Sequence, residues 1–166
     1  VYFYMKRLGL ALRMALAKNP KITLNVYFIN QQKLGKVAFS TGLKIDPDKL
    51  KDVEKVLFFF KENKKMNYVI ADVLYSDTRK EPFIPEDMKD FIPSEYKDIP
   101  RNTWLMLSGM RRLDEEELSQ YEYLYDSSID IVEILNRDRF TRMFFKKKSD
   151  ITHFCNYVIP FGVRGK

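Results

Sequence analysis

Thiol and imidazole are almost missing from this chain: Cys155 and His153 are single copies. A lone cysteine excludes an internal disulfide framework, and a cytoplasmic setting is the default for such a chain. These two side chains, two residues apart, fall short of the four ligands a structural zinc site normally uses. They do not make a nucleophile–base pair either, because no third group is identifiable to orient the imidazole. The six glycines never cluster ahead of Lys-Ser or Lys-Thr, so a phosphate-cradling loop is excluded. No apolar run reaches the roughly 18 residues of a membrane span. The opening "VYFYMKRLGLALRMALAKNP" carries Lys6, Arg7 and Arg13, which suits neither a span nor a signal peptide. No metal, cofactor or membrane partner is therefore expected.

Aromatics and cations are plentiful. Phe occurs 13 times and Tyr 10 times, enough for a dense core or a stacking site. The 29 basic residues outnumber the 23 acidic ones, leaving +6, a balance that permits an anionic partner such as nucleic acid. The length suits one domain over residues 1–166. The chain begins without Met and stops on "GVRGK", so a piece of a longer protein is expected.

Residues 2–18 are rich in Leu, Ala, Met and Arg, which predicts a helix ended by Asn19-Pro20, with Lys6, Arg13 and Lys18 left wet. "KITLNVYFIN" alternates β-branched and aromatic residues, which predicts a strand, and "QQKLGK" a turn. "VAFSTGLKI" reads as a second strand. "DPDKLKDVEK" reads as a short helix capped by Asp46 with Pro47 at its first position. Residues 56–60 form a continuous apolar run, the mark of a strand buried on both faces. "KENKK" is a hairpin tip and "MNYVIADVLYS" the returning strand. Asp72 in that strand needs either solvent or a partner. Residues 77–101 hold Pro82, Pro85, Pro93 and Pro100, a long irregular excursion with one helical turn near residues 86–91. "NTWLMLSGM" is a further strand, and "LDEEELSQYEYL" a helix with Asp114 and Glu117 in capping-box spacing. "IDIVEIL" and "FTRMFFKK" suggest a terminal hairpin, and "THFCNYVIPF" one more strand. Six or seven strands with about three helices predict an α+β fold, built as a small curved sheet or a small barrel.

One catalytic pattern is present. Pro47-Asp48 followed by Glu62-Asn63-Lys64 matches the Pro-Asp … Glu-x-Lys spacing of metal-dependent nucleases, in which two carboxylates hold Mg²⁺ and the lysine orients water. The competing reading is a helix-start acid and a solvated turn. Basic side chains are scattered: Lys33 and Lys36, Lys64 and Lys65, Arg111 and Arg112, and residues 146–148. Folding could align them along a phosphate backbone, provided the acidic run at residues 114–117 lies on another face.

From "VAFSTGLKIDPDKLKDVEKVLFFFKENKKMNYVIADVLYSD" onward, the order of features resembles the YTH and EVE domains of the PUA-like superfamily, such as those at the front of McrB-type restriction proteins. The likeness spans about residues 22–113 and extends less closely to residue 145. It implies a PUA-like β-barrel flanked by helices, no catalytic residues, and an aromatic pocket for a flipped base, modified or not. On that resemblance Phe39-Ser40-Thr41 stands in place of Trp-Ser-Thr, with Phe39 as a cage wall and Ser40 and Thr41 at the base edge. Asn30 or Gln32 would add a polar base contact, and Phe83, Phe91 or Tyr96 a second cage ring. Lys33, Lys36, Lys64, Lys65, Arg111 and Arg112 would meet the backbone, of DNA rather than RNA. Phe39 can equally be a core aromatic. The function so expected is a base-reading module, the targeting part of a restriction or defence protein. The alternatives are a protein-interaction domain and a nuclease built on Asp48, Glu62 and Lys64.

Overall fold

The structure, a computed structural model, describes residues 8–14, 19–137 and 140–148. Most of the first expected helix, the "THFCNYVIPF" strand, His153 and Cys155 lie outside the described residues. The fold is α+β. Seven strands form one sheet: β1 (Leu8–Arg13), β2 (Val37–Thr41), β3 (Val53–Glu62), β4 (Lys65–Phe83), β5 (Arg101–Leu113), β6 (Tyr121–Tyr123) and β7 (Arg142–Lys147). Their order is β2-β5-β4-β3-β1-β7-β6, antiparallel throughout except between β1 and β3. Among the described residues β2 and β6 are the two edges, so the sheet is open and not a barrel.

The expected helix over residues 2–18 is corrected by β1. Leu10, Ala11 and Leu12 are fully or almost fully buried, with Leu10 and Leu12 in the cluster on one sheet face and Ala11 in that on the other. Helix propensity is a weak preference, and burial on two faces overrides it. Arg13 is not wet. Its guanidinium donates to the carbonyls of Leu135 and Phe140 at 3.1 and 2.6 Å. There it sits at the end of α4 (Ile131–Leu135), where a cation suits the helix dipole.

The expected strand "KITLNVYFIN" and the turn after it are likewise corrected: Pro20–Leu34 is helix α1. Asn19 is its N-cap, accepting from the Ile22 N–H at 3.2 Å, and Pro20 opens the first turn. The dipeptide read as a stop is thus a start, since a cap residue is itself extended. Gly35, at φ 81°, closes the helix. The expected hairpin strand "IDIVEIL" contains helix α4 instead. The "LDEEELSQYEYL" helix shortens to α3 (Glu115–Leu118), followed by β6.

Local signals elsewhere hold. Asp46 caps α2 (Pro47–Leu50), accepting from the Asp48 N–H at 3.0 Å. Asp114 caps α3, accepting from the Glu117 N–H at 2.8 Å. The hairpin tip is Asn63-Lys64, both at positive φ, a two-residue turn whose twist suits the paired strands. The turn near residues 86–91 is a 3-10 turn, Glu86–Phe91.

The core explains the apolar run. Val56, Phe58 and Phe60 pack toward α1 with Leu24 and Tyr27. Leu57 and Phe59 pack on the opposite face with Leu118 of α3 and Ile131, Ile134 and Leu135 of α4. Trp104 and Met106 are covered by the excursion through Met88 and Ile92. Each such buried ring contributes roughly 1.5–3 kcal/mol. Asp72 finds its partner in Lys55, directly across the β3–β4 ladder.

Two glycines are required by space. At Gly109, φ is 62° and a Cβ would lie 3.0 Å from Asp72 Oδ2. The residue forms a bulge where β4 passes from Asp72 to Ile70 while β5 passes from Ser108 to Arg111. Gly9 faces Phe145 across the β1–β7 ladder, and a Cβ there would run into the Phe145 ring. Gly9→Ala is therefore expected to cost about 1–3 kcal/mol through overpacking. Urea unfolding checks this, and an unchanged midpoint refutes it.

Candidate functional site

α1 lies beside the ends of β3, β4 and β5 and leaves a groove of about 720 Å³. Lys21, Asn25, Phe28 and Gln32 line one side, at helical positions i, i+4, i+7 and i+11, so they share one flank of the helix. Phe60, Val69 and Met110 form the floor, with Arg112 at the rim. The groove has a direction. At one end the Met110 N–H donates to Gln31 Oε1 at 3.0 Å. At the other, Lys21 stands 3.8 Å from Glu62, beside the hairpin tip. That exposed pair adds little stability, but it brings α1 to the end where Lys64 and Lys65 lie.

Arg111 and Arg112, expected to act together, are separated by the strand's pleat. Arg112 follows Met110 onto the groove face, opposite Val69, and its Nη1 donates to Asn67 Oδ1 at 3.4 Å. It has no acidic partner among the described residues. Arg111 also borders the groove, but on a pleated strand its side chain starts from the other face, and its guanidinium pairs with Glu117 at 2.9 Å. The acidic run therefore does not keep clear of the basic positions: it neutralises one of them.

The residues expected to form an aromatic cage are partly brought together, around a ring the sequence reading left out. Phe39 is 4% exposed. It packs against Tyr27 and Phe58 at centroid distances of 5.1 and 4.8 Å, so it is a core aromatic. Tyr96, from the excursion, stacks on Tyr27 at 5.3 Å. Tyr27 thus fills the space between the two expected walls. Ser40 lies beside the Tyr27 phenol, and Thr41 Oγ1 accepts from the Leu43 N–H at 3.2 Å. Phe83 and Phe91 pack with Trp104 on the opposite sheet face from Phe39, under Arg79 and Lys36 at 4.0 and 4.6 Å. Asn30 donates within α1 to the Val26 carbonyl at 2.8 Å. Only Gln32 among the expected base-edge residues lines the groove. Lys36 is engaged at Phe91, and exposed Lys33 is not among the groove's lining residues.

Asp48 and Glu62 do not share a site. Asp48 lies in α2, ahead of the start of β3, and Glu62 at the far end of that ten-residue strand, which is about 30 Å long at ~3.3 Å per residue. Among the described residues no three His, Cys, Asp or Glu side chains come together as metal ligands. No helix among the described residues is long and apolar enough to cross a membrane.

Lys21, Asn25 and Phe28 escaped the sequence reading because their segment was taken for a strand. The helical spacing that unites them with Gln32 was the available signal. No protein-family model, curated protein or solved structure matches the chain.

Burial raises the Tyr27 phenol well above the ordinary tyrosine range, and Tyr96 adds to this, while Ser40 and Arg101 oppose it. The folded state thus keeps a proton that the unfolded chain loses near pH 10. Stability linked to the neutral phenol is present below about pH 10 and declines as pH rises above it. Tyr68, Tyr75 and Tyr121 are also raised by burial. Tyr27→Phe should therefore flatten part of the alkaline decline, read as urea-unfolding free energy on either side of pH 10. An unaltered decline refutes the assignment.

Proposed function

We propose that the chain is a nucleic-acid-binding module that receives an unpaired base, modified or not, in the groove beside α1. The observation that carries this reading is the pairing of an aromatic and amide-bearing groove with a cationic end. Phe28 offers ring surface beside a floor that includes the buried Phe60, Asn25 and Gln32 offer donors and acceptors together, and Lys21 and Arg112 suit phosphate. Taking a base from a duplex costs a few kcal/mol, and stacking on an aromatic returns ~1–3 kcal/mol per base. Such a module binds without catalysing. The YTH/EVE resemblance supports a place as the targeting part of a larger restriction or defence protein, with DNA as the ligand, but on this reading the base enters beside α1 and not at Phe39.

A second reading, a protein-interaction domain, is favoured by the apolar exposure of α1, where Ile22 is 62% and Ile29 45% exposed. Salt dependence separates the two. Arg112→Ala should weaken oligonucleotide binding and lower the slope of log affinity against log salt by about 0.7, the loss of one single-strand phosphate contact. Fluorescence anisotropy across a salt series reads both. A folded protein that binds no DNA or RNA at low salt sinks the nucleic-acid reading.

A further inference from the structure

We infer that the α1 groove holds a single strand of three nucleotides, not one isolated base. This rests on the nucleic-acid reading above and sets its ligand class.

The spacing along α1 carries the inference. Asn25 and Gln32 are seven residues apart on the same flank, about 10.5 Å along the axis. Neighbouring bases in a stacked strand are about 3.4 Å apart. One base edge cannot meet both amides, whereas the first and last of three bases can: with the Phe28 ring as a fourth layer in the stack, three steps of about 3.4 Å span the interval. Phe28 stands between the amides, 38% exposed, with its ring on the groove side. It stacks on a base whose face is open, and paired, stacked bases present only their edges. The groove therefore selects unpaired strands.

Charge fixes the polarity. Lys21 and the hairpin lysines lie at one end, and the Gln31–Met110 contact closes the other. Arg112 lies on the groove face, opposite Val69 and bonded to Asn67. The chain of contacts runs from phosphate at the hairpin end to base edge at the Gln32 end. An occupant needs an anionic group at the hairpin end and flat, hydrogen-bonding groups along the rest, which a short oligonucleotide supplies with its remaining phosphates turned to solvent.

The test uses the full chain and labelled thymidine mono-, di- and trinucleotides, a longer oligothymidylate, and a duplex of equal length. Affinity should climb steeply from mono- to trinucleotide and slowly beyond it, with the duplex bound on the order of tenfold more weakly. Phe28→Ala should weaken single-strand binding about five- to a hundredfold while leaving the salt slope unchanged. Gln32→Ala and Asn25→Ala should each shift the preference among homopolymers. Circular dichroism of Phe28→Ala verifies that its fold is kept. A mononucleotide bound as tightly as a trinucleotide, a duplex bound equally well, or a neutral Phe28→Ala overturns the inference and leaves the nucleic-acid reading standing. Failure of every oligonucleotide to bind overturns both.

Discussion

A strand that is apolar on both faces must be covered twice. In β3, Val56, Phe58 and Phe60 point one way and Leu57 and Phe59 the other, so neither side of the sheet can be left to water. One cover is α1. The other is assembled from α3, α4 and the proline-rich excursion, none of which is long enough alone. The groove follows from the mismatch between a wide sheet and a single helix. α1 lies over β2 and β5, and the ends of β3 and β4 at Phe60 and Val69 become a floor beside it.

The parts of the fold legible in the sequence are those decided locally. A side-chain oxygen at Asp46 or Asp114 reaches an N–H two or three residues on, and nothing distant can alter that geometry. The buried run at residues 56–60 announces itself by composition. The exchange of helix and strand in the first 34 residues has a distant cause. "LGLALR" favours helix but is held between β3 and β7. "ITLNVYFI" favours strand but lies between a capping Asn19-Pro20 and a left-handed Gly35. The β-branched and aromatic side chains lower helix propensity only slightly, and packing of Leu24 and Tyr27 on the sheet outweighs it.

The candidate site was less legible because it depends on that exchange. With α1 read as a strand, Lys21, Asn25, Phe28 and Gln32 have no common face. The aromatic cage expected at Phe39 had the right participants in part, since Phe39, Ser40 and Tyr96 do gather, but around the Tyr27 ring. Arg13 teaches a related lesson. A cation seen in sequence suggests solvent, whereas its guanidinium ties β1 to the carbonyls that end α4. Charge alone does not say whether a residue is surface, clamp or ligand contact.

The Gly109 bulge acts on the sheet as a single inserted letter acts on a reading frame. Before it, Leu105 and Leu107 face α1, and after it Met110 does, so odd-numbered positions give way to even ones. In an uninterrupted strand, the Arg111 side chain would stand on the α1 face, Arg112 would turn into the apolar packing around Leu118, and Leu113 would lose its place there. One extra residue thus decides which of two neighbouring arginine side chains stands on the α1 face and which pairs with Glu117.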